Sequence, residues 1–371
     1  MSRLSIKDKA KLDKFYNIIE HDLTKFIGYP ANMAFDYTEL YRFLKFFLNN
    51  IGDPFVSDQY ASYRHQMERE VLNFFGRLMH AGKNFWGYVT NGGTESNLYG
   101  LYLARENFPN SIVFYSYDTH YSIQKSLRVL QMKYKIIKSQ QHGEIDYSAL
   151  ERAIHANRKR VPIVVATIGT TMKGAVDQVL KIRSIMKDLK IKKYYIHCDA
   201  ALNGMVFPFI KNAPAFDFSA GADSIAISGH KFIGSPIACG VLLAKKSYAD
   251  KLSNSVEYAQ TIDNTLLGSR SGLASLILWY SIRSHGVVKY KKIVKRCMEN
   301  ADYAIKQFHK VGIPAWRNQH SLIIVFPCSS RRIIEKWHLA PQQGLAHIVT
   351  MPHVTRALID ELIADMEKDG K

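Results

Sequence analysis

The sequence predicts an α/β protein with a mostly parallel central sheet, an N-terminal helical segment and a small C-terminal α+β lobe. Three observations predict it. Residues 161–171 (VPIVVATIGTT) and 194–202 (YYIHCDAAL) are short apolar runs rich in β-branched and aromatic residues, as strands covered on both faces require. Between them, residues 176–190 set charged and apolar side chains at helical spacing. The resulting β-α-β order joins parallel strands through helical crossovers.

Along the chain, Leu12, Phe15, Tyr16, Ile19, Leu23 and Phe26 recur at steps of three and four, which predicts an amphipathic helix over 12–26. Its apolar face needs a partner, either the body of the same chain or a second subunit. Pro30, in GYP at 28–30, then forces a turn because it has no N–H to give a helix. ADSIAISGHK (222–231) and CGVLLAKK (239–246) supply two further strands on either side of Gly234, Ser235 and Pro236. From about Val287 the texture changes to long basic helices followed by a short strand at 322–326. These changes divide the chain into an N-terminal segment (1–55), a large domain (56–286) and a small C-terminal domain (287–371). Ligands of such sheets bind at the carboxyl ends of the strands.

The chain has 371 residues, 47% hydrophobic and 22% charged, which excludes wholesale disorder and fibrous repeats. No run approaches the roughly 20 apolar residues of a membrane span. The first residues, MSRLSIKDKAKLDKFY, lack the apolar core of a secretory signal, and the four cysteines show no C-x-x-C spacing. A reducing, cytoplasmic setting is therefore expected. Lys and Arg total 50 against 32 for Asp and Glu, a formal charge of +18. The excess lies in short clusters at helical spacing, as in KIRSIMKDLKIKK (181–193), and reads as solvated helix faces. A nucleic-acid-binding protein would instead show a basic stripe with interleaved aromatics. Neither that stripe nor a binding motif is present, so no nucleic-acid partner is expected.

Four segments end strands in small or polar residues. Gly92-Gly93-Thr94 reads either as an ordinary helix start with Thr94 as its cap or as an anion cradle at a helix N-terminus. Asp199 ends an apolar strand, where a carboxylate needs a cationic or hydrogen-bonding partner. It is either a helix cap or a fixed charge facing a protonated ring nitrogen or a metal; no second carboxylate or His at ligand spacing supports a metal. Lys231 lies in the small, apolar stretch SIAISGHKFIGSP. It is either a lysine snorkelling from a strand end or a partly buried amine with the lowered pKa that suits a Schiff base. The fourth segment is Gly268-Ser269-Arg270. Together an anion cradle, a ring-facing Asp and a Schiff-base Lys are what pyridoxal 5′-phosphate requires.

Eight motifs then carry a family resemblance: GYP (28–30), GYVTNGGTESN (87–97), DTHYS (118–122), GEIDY (143–147), IGTTMKGAVD (168–177), HCDAALNGMVFPF (197–209), SGHKFIGSP (228–236) and GSRSG (268–272). The sequence resembles the group II pyridoxal-phosphate-dependent amino-acid decarboxylases, in particular bacterial histidine decarboxylases and plant serine decarboxylases. Ser96 stands where these relatives usually have Gly. The resemblance implies a PLP-dependent transferase-like fold (fold type I) and a homodimer or higher oligomer with shared active sites. It implies Lys231 as the lysine that holds the cofactor, Asp199 on the ring nitrogen, His120 on one ring face and Ala201 on the other. Gly93, Thr94, Ser228 and His230 would hold the phosphate, Gly268 and Ser269 would reach it from the neighbouring subunit, and Thr171 would buttress Asp199. Tyr258 is the candidate donor of the proton returned to the substrate carbon. Tyr29, Tyr60, Ser321 and His347 are the candidate readers of the substrate side chain. The expected reaction is decarboxylation of L-histidine to histamine. The alternatives are serine decarboxylation to ethanolamine, or another lyase reaction on the same scaffold.

Overall fold

A computed structural model of the chain describes residues 4–56, 64–252, 254–256 and 261–369. Helix α1 runs from Ile6 to Asp22, earlier than the 12–26 expected, because Ser5 caps it by accepting the Asp8 N–H at 3.1 Å. No residue of α1 is buried, and Leu12, Phe15 and Tyr16 are all more than half exposed. The described residues of the same chain therefore do not bury this apolar face.

A seven-stranded sheet forms the centre. Its strands are β1 (Phe85–Thr90), β2 (Ser111–Ser116), β3 (Tyr134–Ile137), β4 (Val161–Thr167), β5 (Tyr195–Asp199), β6 (Ser224–Ser228) and β7 (Gly240–Lys245), ordered β1-β7-β6-β5-β4-β2-β3. Neighbours from β6 through β3 pair in parallel, whereas β7 runs antiparallel to both β6 and β1. Every strand except β7 therefore points the same way, and the loops after β1, β2, β4, β5 and β6 converge on one end of the sheet. Helices α2 (Arg64–Leu78), α3 (Gly93–Asn107), α4 (Tyr121–Val129), α5 (Tyr147–Ala156) and α6 (Val179–Asp188) belong to this body. Every residue of β5 and β6 is buried, so their polar members His197, Asp199, Ser224 and Ser228 are buried along with the apolar ones.

Strand β4 stops at Thr167, short of the expected 171. Gly169 there adopts φ 107°, and Ile168 bridges back to Val176, so the chain reverses in a tight loop. Beyond the sheet, α7 (Gly272–Lys310) is interrupted at Gly286, whose φ of 59° breaks the helix. A hairpin of β8 (Ile323–Pro327) and β9 (Leu345–Val349) follows, with α8 (Arg331–Lys336) between its strands and α9 (Arg356–Asp369) after them. Its apolar residues join the sheet's own in one contiguous core. Among the described residues, no helix is long and apolar enough to cross a membrane.

Candidate active site

A cavity of about 260 Å³ opens where the converging loops meet. Its lining includes Gly93, Thr94, His120, Thr171, Asp199, Ala201, Ser228, His230 and Lys231, nine residues singled out from the sequence and spread over some 140 positions of the chain. Pro30, Leu202, Ile323 and Val349 add apolar wall. A larger groove of about 1010 Å³ runs past Tyr117, Asp118, Lys173 and Trp316, but Lys173 there is already paired with Asp118 at 3.4 Å.

One end of the cavity is built to receive an anion. Helix α3 begins at Gly93 with Gly92 as its cap, so Thr94 is the second helical residue and not the cap. Gly92 supplies no side chain to bond the first N–H groups, and its φ of 149° suits glycine. Glu95 turns back to accept the Asn91 N–H at 2.8 Å; Gly93 and Thr94 line the cavity, and among the described residues no hydrogen bond engages their amides. A Cβ on Gly93 would lie 2.5 Å from the Ser228 hydroxyl oxygen. Glycine is thus what lets the helix end and Ser228 close on the same small volume. Free amides at the positive end of a helix, with a hydroxyl beside them, fit a phosphate.

At the middle of the floor lies Asp199, the last residue of β5 and 5% exposed. Its Oδ2 accepts from Asn97 Nδ2 at 2.9 Å and its Oδ1 from the Ala201 N–H at 3.2 Å. Thr171 lines the cavity but makes no hydrogen bond to this carboxylate, so the buttress expected of it is supplied by Asn97. The reason is the early end of β4, which carries Thr171 out on the loop after Gly169.

Lys231 follows β6 in a short helical turn, Gly229–Ile233, whose regular geometry it breaks. Asn32, buried in the N-terminal loop, braces this turn: its N–H donates to the Lys231 carbonyl at 3.2 Å and its Nδ2 to the Phe232 carbonyl at 2.9 Å. Burial lowers the pKa of the Lys231 amine, while the charge of Asp199 acts in the opposite direction. Among the described residues no hydrogen bond or ion pair engages that amine. His120 accepts the Ser122 N–H at its Nδ1 (3.3 Å), which places the proton of the neutral ring on Nε2. Its pKa is lowered chiefly by burial. His230 donates from Nδ1 to the Cys239 carbonyl at 3.0 Å, and burial lowers its pKa as well.

Other residues expected at the site lie elsewhere. Ser321 is buried, with its hydroxyl accepting the Ile323 N–H at 2.9 Å and filling the space above Gly174. His347 lies two residues from Val349 on β9, buried and bonded to the backbone of Gly28. Tyr29 stacks on Phe26 at 5.4 Å, outside the lining, while its neighbour Pro30 is part of it. Gly268 and Ser269 are exposed on the single chain, away from its own cavity, and Ser269 accepts from Asn49 at 3.1 Å. Tyr60 and Tyr258 fall outside the described residues. Sequence reasoning passed over Asn97, although it stands in the quoted GTESN stretch. Its signal is an amide four residues into a helix that must be buried against the sheet.

Two buried histidines make a further prediction. Burial pushes the pKa of His197 and of His347 from 6.5 down to about 4. A lowered folded-state pKa means that the unfolded chain binds protons the folded chain refuses. The stability is therefore complete above the unfolded value of 6.5 and is lost as pH falls toward 4. Each contributes roughly 3 kcal/mol over that window. The thermal midpoint of the cofactor-free chain should fall steeply from about pH 7 to about pH 5. A flat midpoint across that range would show that neither ring is held neutral.

An anion cradle, a carboxylate fixed by two donors and a lysine of lowered pKa at the carboxyl ends of a mostly parallel sheet define a pyridoxal-phosphate enzyme. The pyridoxal-dependent decarboxylase conserved domain matches residues 46–325. The chain belongs to this family of group II decarboxylases, and its cofactor is pyridoxal 5′-phosphate. It is 44% identical to histidine decarboxylase of Acinetobacter baumannii (strain ACICU) over 377 residues, covering 99% of this chain and 98% of that one. It is likewise 44% identical to histidine decarboxylase of Morganella morganii over 370 residues, with the same coverages. In fold it is similar to L-methionine decarboxylase from Streptomyces sp. 590, with a TM-score of 0.90, 24% identity and coverage of 99% and 95% of the two chains. Sphingosine-1-phosphate lyase from Burkholderia pseudomallei K96243 shares the fold at a TM-score of 0.80 and 18% identity, covering 100% and 92%. The fold is the type I fold expected.

Proposed function

We propose that this chain decarboxylates L-histidine, releasing carbon dioxide and histamine. The observation that carries the substrate is the 44% identity to two histidine decarboxylases along nearly their whole lengths. Family membership carries the reaction class. No finding favours serine or a different lyase reaction.

Pyridoxal phosphate supplies, when bound, an electron-withdrawing ring that accommodates the pair left by a departing carboxylate. The amides of Gly93 and Thr94, the Ser228 hydroxyl and His230 hold the phosphate end. Asp199 holds a proton at the ring nitrogen, where its negative charge in a water-poor floor is worth more than in bulk water. Lys231 offers an amine that burial favours as the neutral nucleophile. His120 and Ala201 line the cavity and would pack against the two faces of the ring, with Thr171 also in the lining. Leu202, Ile323 and Val349 give the cavity an apolar wall, which would limit the water beside a bound substrate. The proton returned to the substrate carbon is assigned to Tyr258.

We assign the active form as a homodimer. The uncovered apolar face of α1 supports it, as does the exposed position of Gly268 and Ser269, which are free to serve the site of a second copy. The chain's four free cysteines support a reducing, cytoplasmic setting. The test of substrate is release of carbon dioxide from histidine, serine, tyrosine and glutamate side by side with pyridoxal phosphate supplied. Histidine alone should give it. Ethanolamine from serine, with no histamine from histidine, would replace this reading by the serine one.

A further inference from the structure

Behind Asp199 runs a linear chain of buried polar groups. Asn97 donates to Asp199 from Nδ2 at 2.9 Å, and its Oδ1 faces His197 Nε2 at 2.9 Å. His197 Nδ1 faces the Ser224 hydroxyl at 2.7 Å, the two residues standing directly opposite on β5 and β6. All are buried: His197 and Ser224 fully, Asn97 at 2% exposure.

We propose that Asn97 is a positioning residue for Asp199, locked in one orientation by His197 and Ser224. The proposal rests on the reading of Asp199 as the partner of the ring nitrogen, and it names the groups that aim that carboxylate.

The direction of every bond in the chain follows from what each group can do. A carboxylate oxygen accepts, so Asn97 must turn its NH2 toward Asp199 and its carbonyl toward His197. That carbonyl can only accept, so His197 carries its proton on Nε2. Nδ1 is then an acceptor and takes the hydroxyl proton of Ser224. Flipping the Asn97 amide would set its oxygen against Asp199 and lose that bond in a buried site, whichever tautomer His197 then adopted. The helix is shaped around this arrangement. Gly100, one turn after Asn97 on α3, leaves space that a Cβ would fill at 2.4 Å from His197 Cε1 and 3.1 Å from the Ser224 oxygen. Burial keeps His197 neutral, so it holds Asn97 without placing a cation behind Asp199.

Two measurements test this. In the cofactor-free protein labelled with 15N-histidine, the His197 signal, identified by its absence from His197→Gln, should show the neutral tautomer protonated at Nε2. An Nδ1-protonated ring or an imidazolium at neutral pH would overturn the order of donors. In the holoenzyme, Asn97→Ala should lower kcat about 10- to 100-fold, the range seen when an outer-shell partner is removed, with little change in KM. Asn97→Asp, of nearly the same shape, should be worse still, because two facing carboxylates share a proton and Asp199 no longer holds its own at the ring. A role in packing alone would give the opposite order, since alanine leaves the larger void. Wild-type kcat and visible cofactor absorbance in both variants would overturn the proposal. If Asp199→Asn itself turned over normally, it is the reading of Asp199 that would fall.

Discussion

Lys231→Ala should lose at least about a thousandfold in turnover, or some 4 kcal/mol of barrier, together with the visible absorbance of lysine-bound cofactor. The side chain stands on the cavity floor beside Asp199, on a turn braced from outside by Asn32, and its amine has no other bonding task among the described residues. Alanine removes the nucleophile but not the brace, which engages only backbone atoms of Lys231 and Phe232. The variant should therefore fold, and pyridoxal phosphate should still bind through its phosphate end. A variant that keeps both absorbance and turnover would place the reactive lysine elsewhere in the chain.

Asp199→Asn should cost about 10²- to 10³-fold in kcat, the usual loss when one preorganised electrostatic group of a buried site is removed. The substitution keeps the shape of the side chain and removes its charge. It also sets a second amide against Asn97, so one of the two must turn and leave a buried group unpaired. Binding of the phosphate end involves Gly93, Thr94 and Ser228 and should persist. The expected signature is a holoenzyme that keeps its cofactor while kcat falls. Loss of the cofactor with unchanged turnover per bound molecule would make Asp199 an anchoring group only.

Much of this arrangement is legible in the sequence. Strands β4, β5 and β6 announce themselves as short runs rich in β-branched and aromatic residues, bounded by small and polar ones. The loops that follow them carry the small and charged residues that line the cavity. Legibility fails where a contact spans the fold. The bond between Asn97 and Asp199 joins residues 102 positions apart, so Thr171, nearer along the chain, was the natural candidate for the buttress. Threonines at 170 and 171 prolong the β-branched run past Gly169, whose positive φ in fact ends it. Ser321 and His347 have side chains suited to reading an imidazole, but Ser321 accepts from the backbone two residues on and His347 bonds that of Gly28 across the fold, which composition cannot disclose. Helix α1 begins early because one serine caps it, a single-residue effect that periodicity does not register.

The measurement that tests the account most directly is borohydride reduction of the holoenzyme followed by peptide mapping. Reduction fixes the cofactor to the lysine that holds it. The added mass should appear on the peptide containing Lys231 and on no other, and histidine added beforehand should diminish it. The same mass on a different lysine, or undiminished labelling in the presence of histidine, would contradict the assignment of this cavity as the site of decarboxylation.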